Sequence, residues 1–200
     1  MQQVAKRRPR FIVDSMLGDL ARWLRLLGYD TLYYRKIPDP RIVTVALEQD
    51  RIIVTRDRGL AILAKKRGAR VILLRGESIE EYLAQLNVEA GVALYADPSR
   101  SRCPYCNTPL RHVNKTEVKD RVPPEVYIRY EDFWVCPKCG QVYWQGSHWR
   151  KIREILDKAR ELAERLAERR VGGGHQITSR VRVEGKAPHP LGAGGGGEEA

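Results

Sequence analysis

Two short apolar segments, each followed by an aspartate, limit the folds open to this chain. Residues 11–13 run directly into Asp14, and residues 52–55 end two positions before Asp57. Short runs rich in β-branched residues and bounded by polar ones are typical of buried strands in a parallel sheet covered on both faces. Ligands of open α/β sheets bind beyond the carboxyl ends of the strands, so we expect both aspartates to face one crevice. Two carboxylates in one crevice suit a divalent metal ion.

Strands and helices alternate along the first hundred residues. Two more strands are predicted at residues 31–34 and 69–74. Helical spacing and capping signals predict helices at residues 18–27, 39–49, 59–66 and 78–86. This alternation with short connections predicts a doubly wound α/β sheet.

The first predicted helix has one apolar face. Its core-facing residues, at helical spacing, are Leu20, Trp23, Leu24 and Leu27. Arg22 and Arg25 lie off this stripe, so we expect both on a solvated face. Arg22 is in addition a candidate for contacting nucleic acid.

Several carboxylates are candidate metal ligands or catalytic groups. Asp39 followed by Pro40 predicts a helix start, with the carboxylate as N-cap and the proline in the first turn. Asp57 can cap the next helix in the same way. Capping explains each aspartate alone, but it explains less well why several should meet at one sheet edge. Asp14 and Asp57 are the first candidates to hold Mg²⁺ or Mn²⁺, with Asp39 and Asp19 as further candidates.

All four cysteines of the chain stand in two C-x-x-C pairs, at Cys103, Cys106, Cys136 and Cys139. This spacing is typical of a tetrahedral zinc site with four thiolate ligands. Two disulfides, or iron in the same four-sulfur geometry, are the alternatives. Because four thiolates leave no open position on the metal, the predicted role of the zinc is structural.

The segment that carries the cysteines is rich in aromatic and basic residues. Strands are predicted at residues 126–130, 133–135 and 142–144. The aromatic residues either stack on unpaired bases or form the small core of the segment. Together with Arg22, the candidates for nucleic-acid contact are Arg56, Arg111, Lys138 and His148.

The chain divides by composition into four parts: an α/β unit at residues 1–98, a zinc ribbon at 99–148, an amphipathic helix at 149–171 and a Gly-rich tail at 172–200. The helix is expected to pack on a domain or on a second copy of the chain. The tail is expected to be disordered. The basic residues 1–10 form either a solvated terminus or an arm that contacts phosphates.

The net charge of +11 favours a polyanionic partner. Nucleic acid is the first candidate and an acidic membrane surface the second. The sequence contains no apolar run of the roughly 18 residues that a transmembrane helix needs. We therefore expect a cytoplasmic protein that binds nucleic acid and does not enter a membrane. The oligomeric state is left open by the sequence.

Three blocks of the sequence resemble the Mut-seven C-terminal RNase domain family. They are residues 11–30, residues 54–58, and the C-x-x-C pairs followed by residues 143–148. The resemblance runs from about Phe11 to the middle of the last helix. It implies a PIN-like fold with a zinc ribbon and a ribonuclease that depends on a divalent metal.

The resemblance also implies roles for particular residues. Asp14, Asp39 and Asp57 match catalytic carboxylates, and the Thr55 hydroxyl matches a group that orients a carboxylate or metal-bound water. Many PIN-like chains place a further acidic residue just after the third-strand aspartate, where this chain has Arg58. The acidic set is then three residues, or four if Asp19 completes it. The alternative function is a non-catalytic protein that keeps this fold and binds RNA or the ribosome.

Overall fold

The computed structural model describes residues 8–172, and its first half is an α/β unit. Its elements are β1 (Phe11–Val13), α1 (Gly18–Leu26), β2 (Thr31–Tyr33), α2 (Asp39–Glu48), β3 (Ile52–Thr55), α3 (Arg58–Lys66), β4 (Val71–Leu73) and α4 (Ile79–Ala90). All strand pairs are parallel, and the order β2-β1-β3-β4 makes β1 and β3 central neighbours. The predicted α/β class with a parallel sheet is confirmed.

The two central strands are buried on both faces. Phe11 and Val13 pack into one core cluster, which includes residues of α1 and α4. Ile12 and Ile53 pack into the other, which includes residues of α2 and α3. Side chains alternate between the faces of a strand, so a sheet with helices on both sides needs a continuous apolar run. This is the pattern that made the strands recognisable in the sequence.

The capping predictions are correct for two helices and wrong for one. The Asp57 carboxylate caps α3, and Ser78 with Glu81 forms the capping box of α4. At α2 the capping position is Pro38, whose carbonyl accepts the first helical hydrogen bonds. Asp39 is instead the first helical residue and makes no capping hydrogen bond. Because the backbone of Pro38 is extended, the helix starts one residue earlier than the sequence Asp39-Pro40 had predicted.

Arg25 is buried, which corrects the prediction of a solvated face. Its Nε donates to the carbonyl of Thr31 at 3.0 Å. Its Nη1 donates to the carbonyls of Pro104 at 2.7 Å and Tyr105 at 3.3 Å. Burial lowers the pKa of Arg25. The helix periodicity did not reveal this role because two of the three acceptors lie about eighty residues further along the chain.

The cysteine-containing segment forms a second, antiparallel sheet. Its elements are β5 (Arg111–Val113), α5 (Pro124–Arg129), β6 (Phe133–Val135) and β7 (Val142–Tyr143), and the strand order is β5-β6-β7. The predicted strand at residues 126–130 is wrong, because most of that segment is α5. Pro123 caps this helix and Pro124 occupies its first turn, a position that suits proline.

The Asp30 carboxylate contacts three side chains, Arg10 and Arg51 of the α/β unit and Asn107 of the cysteine-containing segment. Its carboxylate accepts from Arg51 Nη1 at 2.9 Å and Nη2 at 3.0 Å, and from Asn107 Nδ2 at 2.8 Å. Asn107 in turn accepts from the Thr31 backbone at 3.1 Å. Burial would raise the pKa of Asp30, but the hydrogen bonds from Arg51 and Asn107 outweigh it and lower this pKa to about 2. The hydrogen bond from Asn107 to the charged Asp30 carboxylate therefore connects the loop after the first cysteine pair to the α/β unit.

The last helix, α6 (His148–Gly172), packs on the α/β unit. Leu156, Ala159 and Ala163 join the core cluster that contains α1 and α4. Of the two packing partners predicted for this helix, the first is therefore observed. Within the described range, no helix has the length and apolar character required to cross a membrane. The predictions for residues 1–7 and 173–200 lie outside the described residues.

Candidate active site and metal centre

The carboxyl ends of β1 and β3 bring Asp14 and Thr55 together. The two strands pair in register, with Val13 opposite Val54, and the Asp14 amide donates to the Val54 carbonyl at 3.0 Å. The Thr55 hydroxyl donates to Asp14 Oδ2 at 2.8 Å. Asp14 is 8% exposed and Thr55 is fully buried. The Asp14 carboxylate is therefore held in one position at the sheet edge.

Asp57 is connected to Asp14 through the same hydroxyl. The Asp57 amide donates to Thr55 Oγ1 at 2.9 Å, while that hydroxyl donates to Asp14. Asp57 Oδ1 accepts from the amides of Gly59 at 2.5 Å and Leu60 at 3.1 Å. All the hydrogen bonds described for this carboxylate within residues 8–172 end on Oδ1. The capping interaction therefore leaves Oδ2 for a cation.

Asp39 lies within electrostatic range of both other carboxylates. Partial burial raises its pKa, and the negative charges of Asp57 and Asp14 raise it further. Among the described residues, the cysteines form the only group of three or more potential ligands close enough to enclose a metal. The three aspartates thus approach one another without forming a closed ligand set. An open set suits Mg²⁺, which keeps several water ligands.

We expect Asp57→Asn to lower the pKa of Asp39 in the absence of metal, because the substitution removes a nearby negative charge. Added Mg²⁺ should lower the same pKa in the unmodified protein. The measurement is a carboxyl-carbon NMR titration of Asp39. Asp50→Asn is the control, because Asp50 is exposed and paired with Arg70. An Asp39 pKa that responds to neither change would contradict the proximity of these groups.

A groove of about 1010 Å³ lies beside the carboxylates. Ser15 and Arg56, the chain neighbours of Asp14 and Asp57, line it. Its four arginines are Arg22, Arg25, Arg35 and Arg56, and its acidic residues are Asp19 and Glu77. Asp14, Asp39 and Asp57 do not line this groove themselves. The cationic lining can bind phosphate groups next to the carboxylate edge.

The other predicted site residues are placed differently. Asp19 is exposed on α1 and pairs with Arg22 at 3.3 Å. Arg111 pairs with Glu117 at 3.1 Å, and Lys138 is exposed between the cysteines of the second pair. Sequence reasoning missed Arg35 in the groove. Its position just after β2 was a usable signal, because ligands bind beyond the carboxyl ends of parallel strands.

The four cysteines converge on one point. Their Sγ atoms all lie within 4.8 Å of one another. The distance is 3.6 Å between Cys103 and Cys139, 3.3 Å between Cys106 and Cys136, and 3.9 Å between Cys106 and Cys139. A tetrahedral site with Zn–S bonds of about 2.3 Å requires sulfur separations of about 3.8 Å. The cluster can therefore hold a metal ion such as zinc.

The loops that carry the cysteines are shaped for this convergence. The first pair is followed by Asn107 at φ +65° and the second by Gly140 at φ +75°, both in the left-handed region. Their amides donate to the carbonyls of Cys103 and Cys136, each at 2.9 Å. Tight turns of this kind direct both sulfurs of a pair to the same side.

The cysteines cannot all ionise without a cation. Burial would raise the pKa of Cys106, but hydrogen bonding to Thr108 and Cys136 lowers it to about 6. A backbone hydrogen bond at Gln141 would lower the pKa of Cys139, but burial and the other cysteines raise it to about 12. A bound divalent ion removes this conflict, because metal-coordinated thiols are deprotonated outright.

Most aromatic residues of the ribbon are packed. Trp134 is buried, and Tyr127, Tyr130 and Trp144 pack on the cluster that contains Phe133. Tyr105 is exposed and lines the arginine groove. The core interpretation therefore holds for most of them. Tyr105 stays a candidate for base stacking.

The family model of the Mut7-C RNAse domain matches residues 9–156. The chain belongs to this family. The match covers both sheets, every candidate carboxylate and all four cysteines. It confirms the resemblance stated from the sequence motifs, and the RNAse domain of the family indicates a nuclease with RNA as substrate. No curated protein and no solved structure matches the chain.

Proposed function

We propose that the protein is a ribonuclease that hydrolyses RNA phosphodiester bonds with Mg²⁺ or Mn²⁺ held by Asp14 and Asp57. The observation that carries this proposal is the Thr55 hydroxyl, which bonds Asp14 at 2.8 Å and accepts the Asp57 amide at 2.9 Å. This buried hydroxyl joins the Asp14 carboxylate to the Asp57 backbone, and the Asp57 carboxylate is oriented by the amides of Gly59 and Leu60. Pre-positioned oxygen ligands of this kind suit a metal site better than independent helix caps do.

The proposed organisation follows the division drawn from the sequence. Residues 8–98 form the PIN-like nuclease unit, residues 99–148 the zinc ribbon and residues 149–171 a helix that packs on the nuclease unit. A structural zinc ion on the four cysteines holds the ribbon in shape. Arg25 then couples the first cysteine pair to α1, because its guanidinium reaches the carbonyls of Pro104 and Tyr105. The zinc thereby shapes the wall of the groove as well as the ribbon.

The residues around the proposed metal site have different roles in hydrolysis, according to their positions. When bound, the divalent ion supplies an activated water and neutralises negative charge that develops during cleavage. Asp14 is positioned by Thr55 and by the Ser15 amide, which donates to Oδ1 at 2.6 Å. Asp39, whose pKa is raised, adds a third carboxylate that can accept a proton. Arg35 and Arg56 line the groove, where they can bind phosphates of the RNA strand.

The experiment that tests the proposal is cleavage of single-stranded and hairpin RNA by the purified chain, with and without added Mn²⁺. We expect cleavage only with the metal. Asp14→Asn/Asp57→Asn should reduce the rate by about 100-fold or more, because even the groups behind metal ligands are worth about 10–100-fold. Metal should be withheld rather than chelated, since a strong chelator would also remove zinc from the cysteines.

Asp50→Asn is the matched control, because it removes one exposed carboxylate far from the proposed site in the fold. It should cut RNA at the unmodified rate. Cleavage that survives in the double variant would disprove the roles of Asp14 and Asp57. Salt-dependent RNA binding without cleavage under any condition would favour the non-catalytic alternative.

A further inference from the structure

A second cavity, of about 280 Å³, lies where α1, the ribbon and the start of α6 meet. All four tryptophans of the chain line it: Trp23, Trp134, Trp144 and Trp149. Leu26, Leu110 and Ile152 are among the other apolar residues of its wall. The tryptophans come from three separate parts of the fold, yet none of their side chains fills the space between them. An aromatic cavity of this kind is suited to a flat ring.

The wall of this cavity contains an unused hydrogen-bond donor. Trp134 is 5% exposed, and its indole N–H has no partner within residues 8–172. The Trp149 indole, in contrast, donates to the Trp144 carbonyl at 3.2 Å. Burial of a donor without a partner is unfavourable. Since this N–H is shielded from solvent, a ligand acceptor reaches it only when the surrounding side chains shift.

The cavity is basic at its polar positions and adjoins the arginine groove. Its basic residues are Arg22, Arg102 and His148, and no carboxylate lines it. Arg22, Trp23 and Pro104 line both cavities. A strand bound along the groove can therefore place one of its bases against the tryptophans while its phosphates contact arginines.

We propose that this cavity binds one unpaired base of an RNA strand that lies in the groove. The identity of the ligand rests on the proposed ribonuclease function. The volume falls just below the roughly 300–1,000 Å³ of pockets for drug-sized ligands, which suits a single base. A base stacks on indole rings, and its strand carries phosphates that Arg22 and Arg102 can bind, whereas an apolar side chain of a partner protein carries no such charge.

The test compares two single-stranded oligomers of about twelve units, within the length range of single-strand binding sites. One has a fully abasic ribose-phosphate backbone, and the other carries a single adenine at its centre. A single base can find the cavity whatever the register of the strand. Binding is measured on the full-length Asp14→Asn/Asp57→Asn variant without added Mg²⁺ or Mn²⁺, so cleavage does not enter the result. We expect about 10-fold tighter binding of the one-base oligomer.

Leu26→Trp is designed to fill the cavity without removing an aromatic residue. It should abolish the preference for the one-base oligomer and leave binding of the abasic backbone unchanged. Ile62→Trp is the matched control, because Ile62 is exposed on α3 and lines neither cavity. This control should keep the preference.

A second measurement requires no change in the cavity. Because all four tryptophans line the cavity, a fluorescent base bound there lies against indole rings. A 2-aminopurine base in place of the single adenine should be quenched on binding. The proposal would be overturned if the two oligomers bound with equal affinity and the 2-aminopurine fluorescence were not quenched. It would also be overturned if free adenosine monophosphate bound as tightly as the one-base oligomer. RNA cleavage without a base preference would refute only the base site, and a base preference without cleavage would refute only the nuclease.

Discussion

Cys139→Ser is expected to abolish zinc binding and to unfold the ribbon. Cys139 is exposed, so the substitution removes almost no packing and acts through the metal. The core cluster of the ribbon has five buried residues: Val113, Val118, Val122, Phe133 and Val135. So small a core does not hold a domain by itself. In small zinc domains the metal contributes about 10–16 kcal/mol of binding free energy, and this energy drives folding.

The measurements are zinc content per chain and hydrogen exchange of the amides in β5, β6 and β7. The unmodified chain should carry one zinc ion and show protected amides, and Cys139→Ser should show neither. Lys138→Ser is the matched control, because Lys138 is the exposed neighbour of Cys139 and is not a candidate ligand. A zinc-free ribbon that keeps its amide protection would refute the structural role of the metal.

Much of the α/β unit could be predicted because its signals are local. The apolar runs of β1 and β3, the Asp57 cap and the Ser78–Glu81 capping box each depend on residues close in sequence. The prediction of a strand at residues 126–130 was wrong because it, too, relied on a local signal. Its Val-Tyr-Ile sequence suits a strand, but the Pro123-Pro124 start selects a short helix. A local signal from proline outweighed a local preference for β structure.

The candidate site was predictable only in part. The strand-end rule placed Asp14 and Asp57 near each other, and the structure connects them through Thr55. The role of Arg25 and the tryptophan cavity were not predictable, because their parts come from segments that meet only in the folded chain. Trp23 lies on α1, Trp134 on β6 and Trp149 on α6. Helical periodicity assigned Trp23 to the core and could not indicate the open space beside it.

Asp30→Asn is expected to lower the free energy of unfolding by about 3–5 kcal/mol at neutral pH. The Arg51 side chain is 4% exposed, and Asp30 supplies its only carboxylate partner within the described residues. Removing that carboxylate leaves the buried guanidinium charge with neutral acceptors alone among the described residues, namely the Gln49 side chain and the carbonyls of Phe11 and Asp30. The variant also weakens the joint between the sheets, because Asn107 contacts the same carboxylate at 2.8 Å. Denaturant unfolding of both proteins gives the difference. Asp50→Asn is the control and should change the free energy by less than about 1 kcal/mol, since the Asp50–Arg70 pair is exposed.

The Asp30–Arg51 pair also predicts how the difference in unfolding free energy between Asp30→Asn and the unmodified protein depends on pH. The pKa of Asp30 falls from its ordinary value of 3.8 to about 2 in the folded protein. Its stabilising effect is therefore fully present above about pH 4 and is lost as the pH falls through 2. That shift is worth about 2 kcal/mol. Acid would release a metal ion from the cysteines of both proteins alike, so the quantity to follow is the difference between them, which should shrink between pH 4 and 2. A difference that stays constant across this range would show that the Asp30 charge does not stabilise the joint.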